Sequence, residues 1–300
     1  MSSPTPDFTP LRSVLYMPSS NERALEKAKS IACDGLILDL EDAVAPDAKE
    51  SAREAACAAA ASGDYGRRAV TIRVNGIGTR WHDADIAAAS AAGPAAIVVP
   101  KVNSADEVHQ LVAAMEAAGA PEHTRLWAMI ETPVAILDVL SIARASERLT
   151  CLVIGTNDLV KELYAEHVPG RAPILPSLHI AVLAARAAGI SIVDGVYNDV
   201  KDIEGFLAEC DQGRQMGFDG KTLIHPGQVE GANAAFAPSE QATEDARGLI
   251  RAFEEGQGSG VVTYDGKMVE NLHVESARRI LQIHDAISAL DGWHPPERVW

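Results

Sequence analysis

The chain has 300 residues, of which 47% are hydrophobic and 23% are charged, a composition typical of a globular protein with a large core. Its formal net charge of −16 at pH 7 argues against nucleic acid and anionic membrane surfaces as partners. Because one cation or a few local arginines can overcome the global charge, the composition does not exclude a small anionic ligand.

The N-terminal segment and the cysteines give the first indications of compartment. Residues 1–11, MSSPTPDFTPL, are rich in Ser, Thr and Pro and lack the apolar core of a signal peptide. We expect them to form a disordered tail. No run approaches the roughly 18 apolar residues of a membrane helix, and the four cysteines show no CxxC spacing. These features predict a cytoplasmic protein with reduced thiols.

Short apolar runs alternate with helix-forming stretches along most of the chain. The runs span residues 12–18, 35–41, 68–74, 95–101, 125–131, 151–155, 191–196 and 220–224. Their starts are about 30 residues apart, the length of a βα unit, and they are almost continuously apolar, as strands covered on both faces should be. The pattern predicts an α/β fold, a (β/α)8 TIM barrel over residues 12–237. A doubly wound open sheet is the alternative, because closure of a sheet leaves no mark in the sequence.

Residues 238–300 form an extension that a barrel does not need. A helical stretch near 239–257 precedes a glycine-rich segment, and a last helix is predicted near 274–290. Between them, Asp265-Gly266 is the turn signal of a hairpin that joins residues 261–264 to residues 267–269. We expect the extension to act as a lid or as an oligomerisation element.

Polar side chains collect where the predicted strands end, which is where barrel enzymes carry their chemistry. They are Asp39, Glu41, Asp42, Arg73, Asn75, Lys101, Glu131, Asn157, Asp158, Asp194 and His225. So many carboxylates at one barrel mouth need a compensating cation, and oxygen ligands suit Mg2+. Glu131 and Asp158 follow neighbouring strands and are predicted to share that ion. The alternative for any single acid is a helix cap.

The strand ends also carry cations that match these acids. Arg73 can bind a carboxylate or an enolate oxygen with two N–H groups, or it can pair with the acids after the second strand. Lys101 ends the fourth strand. His225 is either a general base or a hydrogen-bonded structural histidine. Ser19 and Glu22 have the spacing of a capping box on the first helix.

Seven motifs occur in one order along the chain: LRSVLYMPSSNERALEKA, LDLEDAV, IRVNG, VVPKV, MIET, GTNDL and GFDGKTLIHPGQ. Together they resemble the citrate lyase β-subunit-like branch of the HpcH/HpaI aldolase superfamily over nearly the whole chain after residue 11. Within that branch, VDGVYND, MGFDGKTLIHP, FAPS and DGKMVENLHV are most similar to the (3S)-malyl-CoA thioesterases, next to the malyl-CoA and citramalyl-CoA lyases.

The resemblance implies a TIM-barrel enzyme that uses Mg2+, with Mn2+ as a substitute, on a substrate that contains coenzyme A. It assigns metal binding to Glu131 and Asp158. The residues expected in catalysis are Arg73, Asp39, Glu41 and Glu270. The residues expected to bind substrate are Arg73, Lys101 and Arg12. It also implies a homotrimer or homohexamer in which the C-terminal segment of one subunit covers the active site of its neighbour.

One position departs from the lyases of this family. They carry an Asp in a G-x-M-I-D-like motif as the acid/base of carbon–carbon cleavage, whereas residues 266–270 read GKMVE here. Glu270 therefore takes the place of the Asp. Its side chain is one methylene longer, and a displacement near 1 Å can lower a rate on the order of 100-fold. The change favours activation of water over carbon–carbon cleavage, unless Glu270 is only a solvated loop charge.

We therefore expect hydrolysis of (3S)-malyl-CoA to malate and coenzyme A. The main alternative is a lyase that splits malyl-CoA, β-methylmalyl-CoA or citramalyl-CoA into a 2-oxo acid and an acyl-CoA. Two further alternatives are a free-acid aldolase with His225 as its base and a citrate lyase β-subunit-like protein without activity of its own.

Overall fold

Eight parallel strands form a closed barrel in the computed structural model, which describes residues 9–256 and 262–291. Each strand pairs with the next along the chain, and the eighth pairs with the first. The strands are β1 (Ser13–Pro18), β2 (Gly35–Asp39), β3 (Ala69–Arg73), β4 (Ala96–Val99), β5 (Arg125–Ile130), β6 (Leu149–Ile154), β7 (Ser191–Asp194) and β8 (Gly220–Leu223). This closure confirms the predicted (β/α)8 barrel and rules out the open sheet.

Helices follow the strands and cover the outside of the barrel. They are α1 (Glu22–Ala28), α2 (Lys49–Ala61), α3 (His82–Ala92), α4 (Ala105–Ala117), α5 (Pro133–Leu137), α6 (Val139–Arg144), α7 (Thr156–Glu162), α8 (Leu175–Ala188), α9 (Ile203–Met216) and α10 (Val229–Phe236). Short 3-10 turns lie at Pro46–Ala48, Pro169–Arg171 and Pro226–Gln228. Residues 11–236 form one compact unit.

Alternation along the strands sorts the apolar side chains into two clusters. On β1, Val14 belongs to a cluster built almost entirely from strand residues, and Tyr16 packs against it. Leu15 and Met17 belong to a larger cluster that includes residues of the surrounding helices. Because successive side chains of a strand point to opposite faces, the first cluster fills the barrel. Tyr16 therefore points into the barrel, near its C-terminal end.

The first helix begins differently from the predicted capping box. Its N-cap is Asn21, whose side chain accepts a hydrogen bond from the backbone N–H of Ala24. Glu22 is the first residue of the helix, so Ser19 lies too far before it to cap. The prediction of a Ser19–Glu22 box was wrong because a nearer N-cap residue, Asn21, was available.

The C-terminal extension belongs to a second compact unit, described over residues 237–256 and 262–291. It contains α11 (Glu240–Glu255), the antiparallel pair β9 (Val262–Tyr264) and β10 (Lys267–Val269), and α12 (Asn271–Asp291). Asp265 and Gly266 both have positive φ, 49° and 71°, as a type I′ turn requires. The predicted hairpin is therefore confirmed. Residues 1–8 of the predicted N-terminal tail lie outside the described residues.

None of the described helices combines the length and the apolar character needed to cross a bilayer.

Candidate active site at the barrel mouth

A cavity of about 320 Å³ opens where the barrel strands end. Its polar lining comes from six different strands or the loops that follow them, and includes Tyr16, Asp39, Arg73, Glu131, Asp158 and Thr222. Parallel strands bring their carboxyl ends to one side of a barrel, so residues far apart in sequence meet here. The fold thus brings together the predicted metal ligands and the predicted arginine.

A second cavity, of about 390 Å³, lies beside the first and shares Thr156 and Val196 with it. Acidic side chains predominate in its polar lining, with Glu166, Asp199, Asp202 and Glu209 against Arg171 and His167. It contains none of the residues that the sequence predicts to be catalytic. We assign the chemistry to the smaller cavity, because that cavity contains the predicted arginine and both predicted metal ligands.

Arg73 is held by the acids of the second strand. Its Nε and Nη2 donate to the two carboxylate oxygens of Asp39 at 2.6 and 2.7 Å, and its Nη1 lies 2.8 Å from Glu41 Oε2. A guanidinium has five N–H donors, so these ion pairs leave donors for a ligand oxygen in the cavity. The interpretation of Arg73 as a partner of these acids is confirmed, and it is compatible with substrate binding.

Hydrogen bonds of two side chains hold the loop after β2, and the sequence did not predict them. Asp39 accepts hydrogen bonds from the backbone N–H groups of Glu41 and Ala43. From the start of α2, the buried Nζ of Lys49 donates to the carbonyl oxygens of Leu40 and Glu41. Lys49 therefore ties down the loop that presents the acids to Arg73. Nothing in the sequence around Lys49, which directly follows the turn Pro46–Ala48, predicts this role.

Lys101 contacts both predicted metal ligands. It adopts the left-handed conformation, with φ of 53°, which costs a non-glycine residue roughly 1–2 kcal/mol. In this conformation its backbone N–H donates to Glu131 Oε1 at 2.9 Å, and its Nζ lies 3.2 Å from Asp158 Oδ1. The lysine therefore orients Glu131 through its backbone and neutralises Asp158 through its side chain.

Two glutamates at the barrel mouth have raised pKa values. Burial, and then the negative charges of Glu41 and Asp158, raise the pKa of Glu131 to about 8. Burial likewise raises the pKa of Glu41 to about 7, although Arg73 opposes the shift. A carboxyl group with such a pKa releases its proton when a cation approaches.

The residues at this site fit a Mg2+ ion. Glu131 and Asp158 supply carboxylate oxygens, and a Cβ atom at Gly155 would overlap Glu131 Oε2, so a glycine is needed there for the acid to occupy its position. Within residues 9–256 and 262–291, no three His, Cys, Asp or Glu side chains group as a metal cage. Two protein carboxylates suit Mg2+ in particular, because it usually keeps several waters and accepts substrate oxygens.

Arg12 lies away from this cavity. It precedes β1 at the opposite end of the strand from Tyr16, and it is buried. Its Nε and Nη2 donate to the two carboxylate oxygens of Asp34 at 2.9 and 2.8 Å. This bidentate pair ties β1 to the start of β2. The prediction of Arg12 as a substrate-binding residue is corrected to a structural ion pair.

Asp194 ends β7 but faces the helices. It is fully buried and pairs with Arg171 and Lys221 at 2.7 and 3.2 Å. Burial alone raises the pKa of Asp194, but Lys221 and then Arg171 hold it below its ordinary value. Asp194 is thus part of a structural ion network.

Two further strand-end residues also have structural roles. Asn75 accepts a hydrogen bond from Lys49 Nζ and donates one to Asp85. The exposed His225 accepts a hydrogen bond from the N–H of Gly227 through Nδ1 and caps the turn Pro226–Gln228. The structure therefore favours the structural interpretation of His225 over that of a general base.

Residues 12–226 match the HpcH/HpaI aldolase/citrate lyase family, a stretch that contains all eight barrel strands. The chain belongs to this family. The (3S)-malyl-CoA thioesterase of Cereibacter sphaeroides strain KD131 is 50% identical to this chain over 282 residues, covering 93% of this chain and 96% of that protein. The citrate lyase subunit beta of Escherichia coli K12 is 34% identical, covering 90% of this chain and 92% of that subunit.

Solved structures of similar proteins share the fold. CitE of Mycobacterium tuberculosis, in complex with magnesium, acetoacetate and coenzyme A, is similar with a TM-score of 0.72 and 27% identity. The similarity covers 91% of this chain and 97% of that one. Because the covered part exceeds the barrel, it extends into the C-terminal extension as well.

Proposed function

We propose that this chain is a Mg2+-dependent hydrolase that cleaves (3S)-malyl-CoA, or a closely similar hydroxyacyl thioester, into the hydroxy acid and free coenzyme A. The observation that carries the proposal is the 50% identity to a (3S)-malyl-CoA thioesterase over 93% of the chain. The cavity supports it, because acids and an arginine from separate strands meet there.

The barrel residues bind and orient the substrate in this proposal. Glu131 and Asp158 would hold Mg2+, which would act as a Lewis acid on the substrate oxygens. Arg73 donates to a substrate oxygen and stabilises the negative charge that develops on it. Asp39 and Glu41 keep the guanidinium in place through their ion pairs. Lys101 is near enough to both acids to contact the same substrate.

Glu270 acts as the general base of the proposed reaction. We place it in the active site of a neighbouring subunit, where its carboxylate takes a proton from water. The water oxygen bonds to the thioester carbonyl carbon, the carbon–sulfur bond breaks, and the coenzyme A sulfur leaves as a thiolate that takes up the proton. The alternative is that the carboxylate of Glu270 attacks the carbonyl carbon itself and the resulting anhydride is then hydrolysed.

Carbon–carbon cleavage is the second candidate reaction. It is favoured by the 34% identity to a citrate lyase subunit and would use the same cavity. Arg73 would then stabilise an enolate, and Glu270 would return the proton. The length of Glu270 is our reason for ranking hydrolysis first.

Several finer assignments belong to the same proposal. We infer a homotrimer or homohexamer, a catalytic barrel over residues 12–237, and a lid over residues 238–300. Mn2+ is expected to replace Mg2+, since both are hard ions that bind oxygen. The cytoplasmic location remains a prediction from composition.

The products of malyl-CoA turnover test the proposed function. The purified chain, incubated alone with Mg2+ and (3S)-malyl-CoA, is expected to release malate and free coenzyme A, measured by chromatography. Glyoxylate and acetyl-CoA as the only products would replace the hydrolase with the lyase. No turnover by the chain alone would favour a citrate lyase β-like subunit without independent activity.

Metal binding is expected to depend on pH through Glu131. Its pKa is 4.5 when unperturbed and about 8 in the folded chain, so the folded state holds one more proton than the unfolded state between these values. The metal-free protein therefore loses stability as pH rises from 4.5 to 8. Mg2+ needs the ionised carboxylate, so its affinity should fall roughly tenfold for each pH unit below about 8.

Calorimetric Mg2+ titrations at pH 6.5, 7.5 and 8.5 measure this dependence, together with Tm with and without the ion. The Tm gain from Mg2+ is expected to be larger at pH 8.5 than at pH 6.5. Glu131→Gln is the control, because it removes the titrating group and should make the metal-free protein more stable than wild type at pH 8.5. Equal Mg2+ affinity at all three pH values would contradict the assignment.

A further inference from the structure

Tyr16 is a side chain of the active cavity to which the proposed chemistry assigns no role. It lies on β1, points into the barrel and lines the same cavity as Arg73 and Glu131. The guanidinium carbon of Arg73 lies 4.9 Å from the centre of its ring, a cation–π contact that fixes both groups. The phenol is therefore a rigid part of the cavity wall.

The hydroxyl of Tyr16 is available to a ligand. Its hydrogen bond in the described part of the chain goes to the sulfur of Met129 at 4.0 Å, and a thioether is a weak acceptor. Burial raises the pKa of Tyr16, and Arg73 lowers it less than burial raises it. The phenol therefore keeps its proton and offers it to a better acceptor that enters the cavity.

Part of the cavity wall is apolar. Met129, Ile154, Val196 and Ile224 line the cavity together with Tyr16, as do the acids Asp39 and Glu131. A charged oxygen that enters this region loses its water shell, and that loss is costly unless a protein donor replaces the water. A neutral O–H donor beside a fixed guanidinium suits an anionic oxygen, and a carboxylate in particular. A methyl group at the same place would leave the hydroxyl without a strong acceptor.

We propose that Tyr16 is a specificity-determining residue whose hydroxyl donates a hydrogen bond to the free carboxylate of the acyl chain, so that the enzyme selects dicarboxylic over monocarboxylic thioesters of coenzyme A. This inference rests on the proposed function, since it takes the ligand to be a coenzyme A thioester. It adds the residue that recognises the far end of that ligand.

A matched pair of thioethers tests the inference, because neither can be hydrolysed. S-(3-carboxypropyl)-coenzyme A ends in a carboxylate, and S-butyl-coenzyme A ends in a methyl group. Calorimetry with Mg2+ present is expected to show that wild type prefers the carboxylate ligand. Tyr16→Phe keeps the ring against Arg73 and removes only the hydroxyl. It should weaken the carboxylate ligand about 10- to 100-fold and the butyl ligand less than about threefold.

Tyr65→Phe is the matched control. Tyr65 is buried and donates to the carbonyl oxygen of Leu25 at 3.1 Å, and it does not line the cavity, so its substitution should leave the ligand preference unchanged. In Tyr16→Phe, an unchanged Mg2+ affinity and a Tm within about 2 °C of wild type are expected, because the cation–π contact remains.

Two results would overturn the role of Tyr16 while leaving the proposed function intact. One is a Tyr16→Phe enzyme that keeps the full wild-type preference for the carboxylate ligand. The other is an equal weakening of both ligands, which would make Tyr16 a support for Arg73. A wild-type enzyme that shows no preference and does not hydrolyse malyl-CoA would overturn the inference together with the proposed function.

Discussion

Replacing Glu131 or Asp158 with alanine is expected to abolish thioester hydrolysis and leave the barrel folded. We expect kcat/KM to fall by at least about 1,000-fold, which corresponds to roughly 4 kcal/mol of transition-state stabilisation. The loss should be large because each variant removes one of two protein ligands to the ion. Lys101 cannot replace them, since its contacts to both acids are those of a donor.

The fold should survive because Glu131 does not stabilise the metal-free protein. Its raised pKa means that burial disfavours the ionised side chain, so removing it relieves an electrostatic cost and leaves a small gap at the cavity. Circular dichroism and Tm check the fold, and Mn2+ binding followed by electron paramagnetic resonance checks the metal site directly. Exposed Glu122, at the other end of β5, gives the control variant Glu122→Gln, which should behave as wild type.

Full activity after exhaustive chelation would refute this role for the two acids. So would an alanine variant that loses activity but binds Mn2+ with wild-type affinity. In the first case the acids would act on the substrate without a metal, and the raised pKa of Glu131 would make it a candidate general acid.

Much of the fold and part of the site could be predicted because they depend on local patterns. Each apolar run became a strand, and the convergence of parallel strand ends was enough to bring Glu131 and Asp158 to one cavity. The Asp265-Gly266 hairpin followed from the conformations that these two residues tolerate. None of these predictions needs knowledge of a side chain more than a few residues away.

One kind of error concerns which face of a strand a residue occupies. Asp39 and Asp194 both end a strand, but Asp39 faces Arg73 in the cavity and Asp194 faces Arg171 and Lys221 behind the sheet. Because side chains alternate with a period of two, a boundary uncertain by one residue reverses the face. Arg12 fails for a different reason. It lies at the opposite end of β1 from the cavity, where its partner is Asp34, 22 residues away. Sequence alone does not give the partner, and at a strand end it does not give the face.

Tyr16 is a residue of the cavity that the sequence did not indicate. It lies in the apolar run of residues 12–18 and carries no functional signal there, although it has the same parity as Val14, which faces the barrel interior. Parity alone would have placed it inside the barrel, but only the structure shows its hydroxyl beside a sulfur and its ring beneath Arg73.

Replacing Glu270 with alanine is expected to lower turnover strongly while Mg2+ affinity stays nearly unchanged. Glu270 lies in the second compact unit, between β10 and α12, and its side chain is exposed. Its backbone N–H donates to Nδ1 of His273 at 3.0 Å, a contact that alanine preserves. We expect kcat to fall by about 100- to 10,000-fold, the usual contribution of a general acid or base. Exposed Glu275, on the helix α12 that follows Glu270, provides the control Glu275→Ala, which should keep full activity.

Mixed oligomers test whether Glu270 acts on a neighbouring subunit. Co-expressed Glu270→Ala and Glu131→Ala chains, each inactive alone, should regain activity, because some interfaces then pair an intact metal site with an intact Glu270. Tandem affinity tags on the two chains establish that the purified oligomers are mixed. Inactive mixed oligomers would show that Glu270 and Glu131 of the same chain work together.

Glu270→Asp tests whether the length of the side chain decides the reaction. If it does, the shorter acid raises carbon–carbon cleavage relative to hydrolysis, measured as the ratio of glyoxylate to malate. An unchanged ratio would place that decision in the barrel cavity, and a fully active Glu270→Ala enzyme would reduce Glu270 to a solvated charge on the loop.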